Sequence, residues 1–86
     1  MKTSSIPFTN LGSFYQKYGL NSAAERYYAK AMRINPDDSN AHLNLAIIYL
    51  QKKNTAAAKK EAELSLKADP DFTPGKRLLE FIKKGG

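Results

Sequence analysis

An 86-residue chain with 42% apolar residues makes one small folded domain, too apolar for disorder and with a core marginal for its surface. It has no Cys, which excludes a disulfide framework, a thiol nucleophile and a Cys-based metal site; a cytoplasmic chain is expected, with the periplasm left open. The net charge of +6 raises nucleic acid or an anionic membrane surface as partners.

Nine of the basic residues stand at or after Lys52, among them Lys59, Lys60, Lys76, Arg77, Lys83 and Lys84. Glu61, Glu63, Asp69, Asp71 and Glu80 are interspersed with them, so the mixture reads as a solvated helical surface. No aromatic or Gly-rich element interleaves the lysines as base-stacking modules require, and nucleic acid is not the expected partner. Met1 to Ser5 could open a signal peptide, but Pro7, Thr9 and Asn10 interrupt any apolar run. No stretch reaches the roughly 18 apolar residues that a membrane span needs.

In chain order, residues 1–4 have no pattern and are expected to be disordered. Ser5 is the expected N-cap of a first helix, with Pro7 tolerated in its first turn. Phe8, Leu11, Gly12 and Tyr15 then recur at helical spacing. Gly19 and Asn21 mark the end of this helix and the start of the next. Asn21 or Ser22 is the expected cap there, with Glu25 completing a capping box from Ser22. Ala24, Tyr27, Tyr28, Ala31, Met32 and Ile34 carry the second helix to Asn35-Pro36, where proline stops it. Asp38 or Ser39 caps a third helix containing Ala41, His42, Leu45, Ala46, Ile48 and Tyr49. After a turn at Lys53-Asn54-Thr55, the fourth helix carries Ala58, Ala62, Leu64, Ser65, Leu66 and Ala68. Thr73-Pro74 reads as the N-cap and first residue of a fifth helix, with Leu78, Leu79, Phe81 and Ile82, that ends in Gly85-Gly86.

The chain repeats itself. Pro36 and Pro70 are 34 residues apart, and the same offset aligns Ser5 with Ser39 and Thr73, and Leu11 with Leu45 and Leu79. It also pairs Asn10 with Asn44, Tyr15 with Tyr49, and Ala23-Ala24 with Ala57-Ala58. A fixed period of this size marks stacked helical repeats.

Residues 5–38 resemble a tetratricopeptide (TPR) repeat. Phe8 stands in the Trp slot, followed by Leu11-Gly12, Tyr15, Gly19, Ala24, Tyr28, Ala31 and Pro36. Residues 39–72 are similar through His42, Leu45-Ala46, Tyr49, Ala58, Ala62, Ser65 and Pro70. The resemblance covers residues 5–84. It implies an all-α, right-handed superhelical solenoid: repeat one over 5–38, repeat two over 39–72, and a capping helix over 73–86. Gly12 and Ala46 are small where the two helices of a hairpin must approach, and Tyr15 and Tyr49 fill the remaining gap. In the fifth helix Glu80 and Lys83 take those places. That suits a helix with water on its far side, and repeat arrays close their apolar ends this way.

No nucleophile, base or metal constellation of an enzyme is apparent. The single histidine, His42, occupies an aromatic slot and reads as a packed or hydrogen-bonded residue. Asp37, Asp38, Asp69 and Asp71 lie in inter-repeat turns, where capping is the ordinary role of Asp. No phosphate loop is present, and neither a cofactor nor catalysis is expected.

The resemblance implies instead a scaffold or adaptor that binds a peptide or protein segment on its concave side. The positions facing that groove are Thr9, Asn10, Ser13, Gln16 and Lys17, then Leu43, Asn44, Ile47, Leu50 and Gln51, then Arg77, Leu78 and Phe81. Leu43, Ile47 and Leu50 form one apolar stripe, expected to lie beside the core stripe rather than in it. Chaperone-binding relatives hold an acidic C-terminal tail with Lys, Asn, Asn, Lys and Arg. Those places are taken here by Thr9, Ser13, Asn44, Pro74 and Leu78, so only Asn44 matches and a chaperone tail is not the expected ligand. Lys17 and Arg77 still favour an acidic segment.

One stretch does not fit a closed array. The stripe by which later first-of-pair helices meet the preceding repeat is Ala41, Leu45 and Ile48, then Gly75, Leu79 and Ile82. In the first helix the same places hold Pro7, Leu11 and Phe14, extended by Tyr18. Met1 to Ser4 are too few to cover them, and two repeats plus a cap fall short of the roughly three usually needed. The expectation is that this face buries against a second copy or against further upstream repeats, making the chain a self-association module or the C-terminal part of a longer array. A monomer that tolerates the exposed rings is the alternative.

Overall fold

The computed structural model describes residues 3–85, and among them every regular element is a helix. The helices are α1 (Ile6–Lys17), α2 (Asn21–Ile34), α3 (Ser39–Gln51), α4 (Thr55–Ala68) and α5 (Thr73–Lys83). α1 pairs with α2 and α3 with α4 as hairpins, and α5 closes against α4. The first helices of each unit, α1, α3 and α5, lie side by side in a body of 42 × 28 × 17 Å. The chain is an all-α helical repeat.

The core follows the small and aromatic slots of the repeat. Ala24, Tyr28 and Ala31 of α2 pack with Ala41, Leu45 and Ile48 of α3, flanked by Phe8, Tyr15, Met32 and Tyr49. A second cluster joins Ala46, Ala58, Ala62 and Ile82, flanked by Tyr49, Leu50, Leu78 and Leu79. Tyr49 belongs to both, so it is the hinge between the two units of core. α5 buries Ile82, half-buries Leu79 and leaves Glu80 and Lys83 exposed.

Both hairpins turn in the same way. Gly19 (φ 77°) and Lys53 (φ 61°), 34 residues apart, each take the left-handed conformation that ends a helix in a Schellman motif. The following N–H groups reach back, Leu20 N to Tyr15 O at 2.9 Å and Asn54 N to Tyr49 O at 2.8 Å.

Several expected caps are used differently. Ser5 stands at the start of α1 but gives its hydroxyl to Asp38, and Ser4 Oγ accepts from Ile6 N at 3.2 Å instead. α2 begins after Leu20 without a side-chain cap. Asn21 donates to Gln51 Oε1 at 3.1 Å, and Glu25 accepts from Lys52 Nζ at 2.6 Å, so no capping box forms. The two groups tie the start of α2 to the end of α3 instead. Asp38 caps α3 as expected, and Asn54 caps α4. α5 starts one residue earlier than expected, with Phe72 at the N-cap position and Thr73 already helical. The frayed segment expected over residues 1–4 lies partly outside the described residues; Thr3 and Ser4 are exposed. Among the described residues no helix is long and apolar enough to cross a membrane.

Candidate binding groove

α1 and α3 leave a cleft of about 280 Å³ between them. α1 contributes Ile6, Thr9, Asn10 and Ser13; α3 contributes Asn40 and Asn44; Asp38 closes the end. The lining comes in matched pairs 34 residues apart, Ile6 with Asn40 and Asn10 with Asn44, because the two helices present the same face to the same side. Asn10, Ser13 and Asn40 are exposed, and Asn44 is half-buried.

A polar frame fixes the spacing of the two helices. Asp38 Oδ2 accepts from Ser5 Oγ at 2.9 Å and from Thr9 Oγ1 at 2.6 Å, while Oδ1 accepts from Ala41 N at 3.1 Å. One carboxylate thus caps α3 and ties down two turns of α1. Further along, Tyr28 Oη donates to Gln16 Oε1 at 2.6 Å, and Gln16 Nε2 donates to the Asn44 carbonyl at 3.4 Å. Burial pushes the Tyr28 hydroxyl up to about 12, offset in part by the Asn44 side chain, so it remains a donor across the working pH range.

Thr9 and Gln16 are both expected to face the groove. Thr9 lines the cleft, but it is buried with its hydroxyl on Asp38, and Gln16 is half-buried between Tyr28 and the Asn44 carbonyl of α3. Both hold the groove wall. The apolar stripe also differs. Leu43, Ile47 and Leu50 are half-buried, and Leu50 packs into the second core cluster with Leu78 of α5, so the stripe merges with the core at its far end. Lys17, Arg77 and Phe81 are exposed and lie outside the cleft between α1 and α3. Pro7, Leu11, Phe14 and Tyr18 are exposed on another face of α1. Ile6 and Asn40 line the cleft without having been singled out in the sequence, although their 34-residue separation was the signal that would have found them.

His42 is buried between the hairpin helices, with Nδ1 2.8 Å from Glu61 Oε1 and Nε2 2.7 Å from the Pro36 carbonyl. It anchors structure and does not line the groove.

The sequence profile of the tetratricopeptide repeat matches residues 17–80, about three quarters of the chain. The chain belongs to the tetratricopeptide repeat family. A curated relative, Hsp70-Hsp90 organizing protein 3 of Arabidopsis thaliana, is 33% identical over 72 residues, which is 80% of this chain. The match spans 12% of that relative's length. Membership makes this TPR chain a protein–protein interaction module, with a protein as its partner.

Proposed function

We propose that this TPR chain binds an extended segment of a partner protein along the side formed by α1, α3 and α5. The observation that supports the reading is the cleft between α1 and α3, whose lining is repeated in register by the two units. Each Asn amide offers both a donor and an acceptor, which suits the unpaired backbone of an extended peptide. Asn10 and Asn44 are the residues for that task. Ser13 adds a hydroxyl, Leu43 and Ile47 with Phe81 supply apolar contact, and Lys17 and Arg77 at the rim favour an acidic segment.

The similarity to Hsp70-Hsp90 organizing protein 3 brings the tail of a chaperone into consideration. Of the five clamp positions only Asn44 carries the residue that a tail-binding relative would have. Thr9, in place of a lysine, is buried and bonded to Asp38. The ligand proposed is therefore an internal segment whose backbone is read, with no clamp for a terminal carboxylate and no catalytic step.

Peptides selected from a displayed random library against the whole chain test this. Ile47→Ser and Asn44→Ala should each weaken the selected peptides by about 1–2 kcal/mol, as expected for partial burial at an interface. Lys59→Ala on α4 should leave them unchanged. Affinity untouched by the first two substitutions in a chain that keeps its helical signal would remove the groove as the site.

A further inference from the structure

We propose that two copies of this chain pair through their first helices, α1 against α1 about a two-fold axis, with Leu11, Phe14 and Tyr18 at the centre of the contact.

The internal repeat shows what this face is built for. In α3 the matching positions Ala41, Leu45 and Ile48 are 0%, 5% and 0% exposed, covered by α2. In α5, Ile82 is 7% exposed and packs on α4. In α1 the same row stands open: Leu11 is 40% exposed, Phe14 54% and Tyr18 63%. With full side chains presenting about 150–250 Å² each, these three leave roughly 300 Å² of apolar surface in one row.

The row is also held in place. The Phe14 and Tyr18 rings are 5.1 Å apart, and Phe14 meets Tyr15 edge-on at 5.4 Å. Tyr15 stacks on Tyr27 of α2 at 5.4 Å with the rings 1° from parallel. Two exposed rings backed by a stack that reaches the second helix lose little freedom on docking.

The occupant follows from what a copy has to offer. The apolar faces of α2 and α4 that could cover α1 in register are already taken by α3 and α5. The open row of a second α1 is the remaining extended apolar face among the described residues. Charge agrees with this pairing. The chain carries +6, nine of its bases stand at or after Lys52, and α1 holds Lys17 alone with no acid. Joining the two α1 faces keeps the bases of α4 and α5, neither of which touches α1, away from the contact. An isologous contact closes at two copies, whereas α1 on the α5 end would propagate. The groove lining of α1 lies on a different side of the helix and stays free in the pair.

Sedimentation equilibrium across a concentration series from about 10 µM to about 1 mM decides the matter, since a patch well below the standard interface area makes a weak dimer. The mass should rise from 9.6 kDa towards twice that value and level off there. Phe14→Glu/Tyr18→Lys should stay at the monomer mass with an unchanged helical spectrum. If that variant fails to fold, Tyr18→Lys alone, at the most exposed of the three, should shift the dissociation constant upward at least tenfold. A wild type that stays monomeric throughout, a dimer indifferent to Tyr18, or a series of masses beyond two would each overturn the proposal.

Discussion

His42 and Glu61 join α3 to α4 through a contact of 2.8 Å between Nδ1 and Oε1. On the other side of the ring, Nε2 lies 2.7 Å from the carbonyl oxygen of Pro36. A carbonyl and an ionised carboxylate can only accept, so both ring nitrogens donate, and only the imidazolium has two N–H groups. Glu61 holds the His42 pKa above its ordinary 6.5, against the opposing effect of burial, with the Pro36 carbonyl and the Asp38 charge adding to the rise.

A pKa raised in the folded state contributes stability that is complete below the unfolded value and is lost as pH climbs through the folded one. The melting temperature should therefore fall as pH rises above the ordinary histidine value of 6.5. His42→Phe, which keeps an aromatic in the slot, should flatten that dependence. A wild-type melting temperature constant over that rise would mean that the ring is held neutral.

Asp38 holds three donors from two helices, and the hydroxyls of Ser5 and Thr9 are buried with it. Asp38→Ala strands the Ser5 hydroxyl, leaves the Thr9 hydroxyl only its 3.3 Å bond to the Ser5 carbonyl and uncaps α3, and should cost about 2–4 kcal/mol in urea unfolding. Ser5→Ala and Thr9→Ala should each cost less, and combining either with Asp38→Ala should add far less than the sum. Full additivity would show that the three groups do not act as one unit.

At Gly12 the absence of a side chain is what lets Tyr28 sit where it does. A Cβ there would stand 2.5 Å from Tyr28 Cε1 and 2.7 Å from Cδ1. Tyr28 is fully buried with its hydroxyl fixed on Gln16, so it cannot yield. Gly12→Ala should destabilise by about 1–3 kcal/mol even though alanine favours the helix. Ala46 occupies the equivalent place in the second repeat, where Ala62 replaces the tyrosine. A thermal melt showing Gly12→Ala at or above wild type would contradict this packing.

Lys53 takes the left-handed backbone that Gly19 takes in the first hairpin. The side chain gains nothing from that conformation and is exposed. Lys53→Gly should stabilise by about 0.5–1 kcal/mol, and Gly19→Lys should cost a similar amount. Chemical denaturation of the two single variants, read against each other, checks both signs.

The helical repeat was legible because its period is written in side-chain size: Gly12 and Ala46, Ala24 and Ala58, Pro36 and Pro70 each recur at one spacing. The hairpin turn at Gly19 was legible for the same reason. The caps were less so. Ser5, Asn21 and Glu25 are all good local cappers, but each found a partner on another helix, and no local pattern announces such a bond. At the groove, Asn10 and Asn44 stood out as a pair, while Ile6 and Asn40 did not because their types differ although their positions match. Leu50 reads as lying beside the core; it packs against the cluster of Ala46, Ala58, Ala62 and Ile82, which draws on three helices and which no single helix's pattern announces.

The two joints between successive units are chemically unlike. The first is closed by Asp38 with the hydroxyls of Ser5 and Thr9. Moving each by 34 residues gives Phe72, Ser39 and Leu43, so the second joint has no carboxylate, and Phe72 begins α5 without a side-chain cap. Contacts that are directional and charge-assisted break as a set, whereas greasy ones loosen by degrees. Amide exchange should then proceed as an unravelling from the carboxyl end: α5 loses protection at the lowest denaturant, while α1 to α3 exchange together, only when the whole chain lets go.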